Sequence, residues 1–212
     1  MKRTLQLLLA LGLMTPLFSG DMTFTPDQVH TVLGFRAATL IFKVPGAFRS
    51  YHAEISGDPA SLENAKVSLA IDVKSIDTAN GTRDTHLRSE DFFNAAKFPK
   101  ITFVSSKLWR ESGKLMVAGA LDMHGVRKDI TLAFEESNGK NGAGVHTWSY
   151  EANFKVNRKD FGIGITDKLA AISLKDDVEL NLMLVGFFEQ GGAKAAPAPA
   201  KKPAAKKVKK QS

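Results

Sequence analysis

With 212 residues, 43% of them hydrophobic and 24% charged, the chain has room for one good-sized globular domain or two small ones. Its net charge of +7 sits at the ends: nine of the 29 basic residues are Lys2, Arg3 and seven lysines beyond Gln190, which leaves 20 basic against 22 acidic residues between Asp21 and Gln190. That balance gives a nucleic-acid reading of the core no electrostatic support. The absence of cysteine excludes disulfides, thiol nucleophiles and thiolate metal sites.

Residues 1–20, MKRTLQLLLALGLMTPLFSG, join a positive start to an apolar stretch from Leu5 to about Leu13, then Pro and small residues, which is the pattern of a secretory signal. Cleavage is expected after Ser19 or Gly20, with an uncleaved N-terminal anchor as the alternative. The run is too short for a span of about 20 residues, and no later segment is long and apolar enough to be one. Export predicts a periplasmic or secreted location and a domain, over 21–190, that is stabilised by its own core.

That domain alternates with period two. TVLGFRAATLIFKV and AFRSYHAEISG read as two strands punctuated by Pro45-Gly46. Val67, Leu69, Ile71 and Val73 share one face of the next strand. The segment Arg83 to Phe98 is the main candidate for a helix, and KITFVSSKLW returns to strand. Leu115, Val117, Leu121 and Met123 alternate, as do Ile130, Leu132 and Phe134. Trp148, Tyr150, Ala152, Phe154 and Val156 alternate with Ser149, Glu151, Asn153 and Lys155. A short helical piece is expected near Asp167 to Ser173, and a last strand carries Val178, Leu180, Leu182 and Leu184. Turn signals stand at Ser112-Gly113, His124-Gly125 and NGKNGAG; the last lies between strands and is not a phosphate-binding GxGxxG loop. About eight one-sided antiparallel strands must bury a dry face, which predicts an all-β sandwich or closed barrel with one or two short helices. Residues 191–212, built from Gly, Ala, Pro and Lys with a little Val, Gln and Ser, are expected to be a disordered tail, either simply solvated or an adhesive for an anionic surface.

Four segments in order, DQVHTVLGF, SIDTANGTRDTHLRSEDFFNAAKFPKITFVSS, VAGALDMHGVRKDITL and NRKDFGI, resemble the YceI-like family of exported bacterial proteins. The resemblance implies a lipocalin-like antiparallel β-barrel with an apolar interior, and a long isoprenoid chain or quinone as a non-covalent ligand, with links to envelope stress in some members. The family's second histidine, in an H-L-G step, has no counterpart here: AATLIF stands there, with Thr39 near that place.

The chemistry-bearing residues concentrate in RDTHLRSEDFF. Arg83, Asp84, His86 and Ser89 suggest a catalytic set. Yet Asp84 and His86 are two apart, a spacing that does not face on a helix, and no G-x-S-x-G nucleophile turn is present. The segment is therefore read as a turn of helix capped by Thr82 or Thr85, with Arg83 paired to a carboxylate and Leu87, Phe92 and Phe93 plugging a barrel end. Arg83, His86 or Arg88 then meets a polar head group at the pocket mouth. Phe35, Phe42, Phe48, Phe103, Phe154 and Phe161 are expected ligand contacts, drawn from 14 phenylalanines against two Trp and two Tyr. The five histidines show no metal spacing, so neither metal nor enzymatic activity is expected. The alternative is a filled, ligand-free barrel that acts in envelope stress, its basic tail recruiting an anionic partner. Oligomeric state stays open, a dimer included.

Overall fold

The computed structural model describes residues 22–62 and 64–190, with Gln190 described in its backbone only. The signal segment and the Lys-rich tail lie outside the described residues. Eleven strand segments form one antiparallel sheet: β1 (Met22–Pro26), β2 (Val32–Thr39), β3 (Lys43–Phe48), β4 (Tyr51–Ser56), β5 (Lys66–Asp72), β6 (Ile76–Asp77), β7 (Lys100–Glu111), β8 (Lys114–Met123), β9 (Val126–Lys140), β10 (His146–Asn157) and β11 (Leu174–Gln190). Two helices, α1 (Gly81–Arg88) and α2 (Lys168–Ser173), interrupt them.

The sheet closes into a barrel of eight staves, because three of the staves are broken. The long β11 pairs with β1 along Gly186 to Gln190 and with β2 along Leu174 to Met183. β3 and β4 follow the same course beside them, β3 against β2 and β4 touching β1 at Thr23–Ser56. β5 pairs with β4, and β6 with β3. Closure leaves no free edge along the intact staves, which removes the template for edge-to-edge association. One end carries the β2–β3 turn, α1, the β8–β9 turn and α2; the other carries the β7–β8 and β9–β10 turns.

The alternating residues named from the sequence do build the core: Ile71, Val73, Leu115, Val117, Leu121, Met123, Leu132, Phe134, Tyr150, Ala152 and Leu184 are buried. The first hairpin differs from expectation. Pro45 and Gly46 lie inside β3, and the chain turns at Leu40 to Phe42. Proline is tolerated there because β3 meets β6 only at Ala47 and Phe48, so Pro45 occupies an open edge. The turn is held by Thr39, whose backbone N and Oγ1 both donate to Phe42 O (2.8 and 2.9 Å), while Oγ1 accepts from the N of Ile41 (3.4 Å) and Phe42 (3.1 Å). The β9–β10 turn is Asn141 to Val145, with Asn138 to Lys140 still in strand. α1 is shorter than the predicted helical stretch and ends at Arg88.

Candidate functional site

α1 is capped by Asn80, whose side chain accepts from Arg83 N (3.0 Å), and not by Thr82 or Thr85. Thr78, just before it, is a hub. Its backbone N and Oγ1 both donate to Asp84 Oδ1 (2.9 and 2.6 Å), Arg83 Nε donates to Thr78 Oγ1 (2.8 Å), and Arg83 Nη2 donates to Thr78 O (2.8 Å). Arg83 therefore clamps Thr78 and neither pairs with a carboxylate nor sits at a pocket mouth. Arg88 is likewise used within the fold, donating to Lys74 O (2.9 Å) and Ile76 O (2.8 Å).

His86 is directed away from the barrel interior as well. Its Nε2 lies 3.1 Å from Asp167 Oδ2 and 3.6 Å from Asp91 Oδ2, and its ring meets Phe92 edge-on at 5.0 Å. Asp167 caps α2 through Oδ1, which accepts from Ala170 N (2.7 Å). His86 thus ties α1 to the start of α2. The three groups hold one potential ligand atom each within 4.8 Å of one another, an arrangement no sequence spacing announces, yet pairing of the imidazole with the two carboxylates accounts for it. Ser89 Oγ donates to His86 O (2.7 Å) and is not aligned with the imidazole. The segment that looked catalytic is a bracket for the barrel's end.

What the bracket supports is a cavity. Leu87, Phe92 and Phe93 press inward from α1 and the turn after it, so the end plug also lines the space it covers. The cavity measures about 180 Å³ and is lined almost wholly by aliphatic and phenylalanine side chains; Ser68, Thr102 and Arg158 are the polar exceptions. Phe35, Phe48, Phe103 and Phe154 stand on its wall. Phe42 and Phe161 do not: Phe42 is 56% exposed at the β2–β3 turn, and Phe161 is buried outside the cavity beneath Lys128.

The hollow narrows along the barrel. Near the β9–β10 end Leu115, Tyr150 and Phe188, with Phe134 and Leu184 from the main cavity's wall, enclose a second, much smaller apolar space of about 40 Å³. Burial of the Tyr150 phenol pushes its pKa well above the usual range. Towards α1 and α2, Phe35, Phe48, Phe154, Leu180 and Leu182 face the main cavity and stay half-buried, while Ile71, Ile101 and Phe103 on the same wall are buried. A glycine helps shape that wall. A Cβ built on Gly46 would fall 2.3 Å from the tip of the Phe35 ring, so only glycine lets the ring lie across β3.

Arg158 is the residue that sequence reasoning passed over. It lies within NRKDFGI, is 3% exposed, and donates to five carbonyls: Lys175, Ile163, Gly164, Ala170 and Leu174, at 2.9–3.2 Å. Asp176 Oδ1 lies 3.4 Å away. A planar fork with five donors suits this closure of an irregular floor, which supplies carbonyls from Ile163 to Lys175. The signal available in sequence was weak, since an arginine between Asn and Lys reads as surface.

A model of the YceI-like domain matches residues 24–185. A UPF0312 protein of Shewanella denitrificans is 31% identical over 182 residues, spanning 84% of this chain and 95% of its own. The crystal structure of Burkholderia cenocepacia BcnA superposes with a TM-score of 0.67 at 25% identity, over 76% of this chain and 99% of that one. A polyisoprenoid binding domain from Saccharophagus degradans, implicated in plant cell wall breakdown, shares the fold with a TM-score of 0.54 at 16% identity, over 80% of this chain and 98% of that one.

Proposed function

The chain belongs to the YceI-like family, and from that membership we propose that it is an exported binding protein whose barrel holds a long apolar lipid of the isoprenoid type, a quinone included. The observation that carries the reading is the almost wholly apolar cavity of about 180 Å³ inside the barrel, covered by Leu87, Phe92 and Phe93. A water occupies about 10–15 Å³ of such volume, so about 180 Å³ admits roughly a dozen methylene-sized groups. Ten buried methylenes contribute about 8 kcal/mol before ordering costs, near micromolar affinity. No polar contact is needed for that, which fits a wall with so few polar groups. The ligand class of the Saccharophagus degradans domain, whose fold this chain shares, supports the same choice.

A binding role rather than an enzymatic one is supported by the engagement of Asp84, His86 and Ser89 in structural bonds. Export rests on the leader-like 1–20, with a periplasmic or secreted site of action. The lysines of 191–212 support a second, electrostatic contact with an anionic surface, worth about 1 kcal/mol each. Native mass spectrometry of protein purified from its own host, followed by uptake of a fluorescent polyprenyl probe, tests the lipid reading. A co-purifying lipid mass or saturable uptake supports it. A bare protein mass together with no uptake sinks it.

A further inference from the structure

We propose that the β2–β3 turn and the exposed face of α2 form a docking surface for a phospholipid bilayer, placed beside the hollow end of the barrel; the choice of occupant rests on the lipid-carrier reading above. Among the described residues ten large hydrophobics are exposed, and six of them gather at this end: Leu40, Ile41 and Phe42 at the turn, and Ile165, Leu169 and Ile172 in and just before α2. Ile41 is 88% exposed, and Leu169 and Ile172 share one face of α2 at over 70% each. The two groups are neighbours, because Leu174, the residue after α2, is the ladder partner of Thr39, the residue before the turn. The patch is also continuous with the cavity, since Leu174 and Ala37 line it.

The chemistry of the turn favours a bilayer over a protein. Three successive apolar side chains project from a narrow, convex hairpin end, whereas a stable protein interface needs about 800 Å² per partner with a polar rim. Backbone groups that enter an apolar phase must be bonded within the protein. Here Thr39 already satisfies the N–H groups of Ile41 and Phe42 and the carbonyl of Phe42. Charge contributes little. Lys43 is paired with Glu179 at 2.6 Å, and Lys168 and Lys175 stand next in sequence to Asp167 and Asp176. The contact is therefore apolar insertion, indifferent to lipid charge and to salt, and distinct from any contact made by the Lys-rich tail.

The test is co-sedimentation of the full chain with phosphatidylcholine vesicles in about 1 M salt, where electrostatic attraction is screened within about 3 Å. The wild type is expected to sediment with the vesicles. Ile41→Ser with Phe42→Ser, and separately Leu169→Ser with Ile172→Ser, each lower the partition coefficient roughly tenfold or more. Both variants should melt like the wild type and keep uptake of a short, water-soluble isoprenoid probe. Binding confined to anionic vesicles at low salt assigns the contact to the tail and overturns the proposal. So does wild-type partitioning unchanged in both variants, or a wild-type dimer, seen by analytical ultracentrifugation, that the variants dissolve without change in vesicle binding. If the wild type takes up no probe, the lipid-carrier reading fails whatever the vesicles show.

Discussion

Phe35 on β2 lies with the tip of its ring over Gly46, its ladder partner on β3. The ring also packs on Phe48 at 5.7 Å between centroids, so two wall phenylalanines depend on one missing side chain. Gly46→Ala should force the Phe35 ring off β3 and into the cavity. Overpacking of this kind costs about 1–3 kcal/mol, a fall of several degrees in Tm, and probe uptake should weaken at the same time. Thermal melting and a binding titration check the two effects together.

Ala152 and Leu182 are ladder partners that meet different environments. Ala152 is 2% exposed and stands outside the cavity lining, whereas Leu182, beside it at the same level, fronts the cavity. Ala152→Leu should destabilise by about 1–3 kcal/mol or more, because the added carbons have nowhere to go. Leu182→Phe should cost less than about 1.5 kcal/mol while it reduces uptake, because the new ring occupies ligand space. Urea unfolding of the two variants compares the two positions; equal costs would show that the wall is packed alike at both.

Arg158 and Asp84 are both buried and both structural, with different reach. Arg158→Met leaves five carbonyls without their donor and should cost about 3–5 kcal/mol, loosening the α2 floor. Asp84→Ala strands two donors of Thr78 and should cost about 1–3 kcal/mol. Uptake should persist in folded Asp84→Ala and fall in Arg158→Met. Denaturant unfolding alongside a binding titration reads both.

Acid should weaken the fold through carboxylates whose pKa values lie below the usual range. A hydrogen bond from Lys43 lowers that of Glu179, one from His30 lowers that of Asp27, and the Ala79 N–H followed by Arg49 lowers that of Asp77. A depressed carboxylate contributes stability in full above its unfolded pKa and loses it as pH falls through the folded value. Tm should therefore be level for these groups above about pH 5 and decline below about pH 4. All three are solvent-exposed pairs, so salt should flatten the decline. Glu179→Gln should remove its share of the acid slope in a pH series of melts.

Much of the barrel was legible in order of residues. Alternation at Trp148 to Val156 and at Leu115 to Met123 identified both the strands and the faces they bury, since period two has only one dry side. Leu87, Phe92 and Phe93 were read as the plug of a barrel end and Phe103 as one of the barrel's phenylalanines, and all four line the cavity. The β2–β3 turn was misread because Pro-Gly is a strong turn signal and Leu-Ile-Phe is not; Thr39, acting through its side chain, made the apolar turn instead. Phe42 and Phe161 show the limit of counting phenylalanines: one ended on the outside of a hairpin and one under the floor.

By itself the sequence determined the one-sided strands, the lack of thiol chemistry and the confinement of excess charge to the ends, because periodicity and composition need no partners to be read. Only the tertiary structure decided what RDTH does. Arg83 and Asp84 met at Thr78, and His86 met Asp167 from a segment 81 residues further along the chain. The same holds for the hollow. Whether an inward phenylalanine fills a core or walls a cavity depends on the volume across the barrel, and that volume is set jointly by all eight staves.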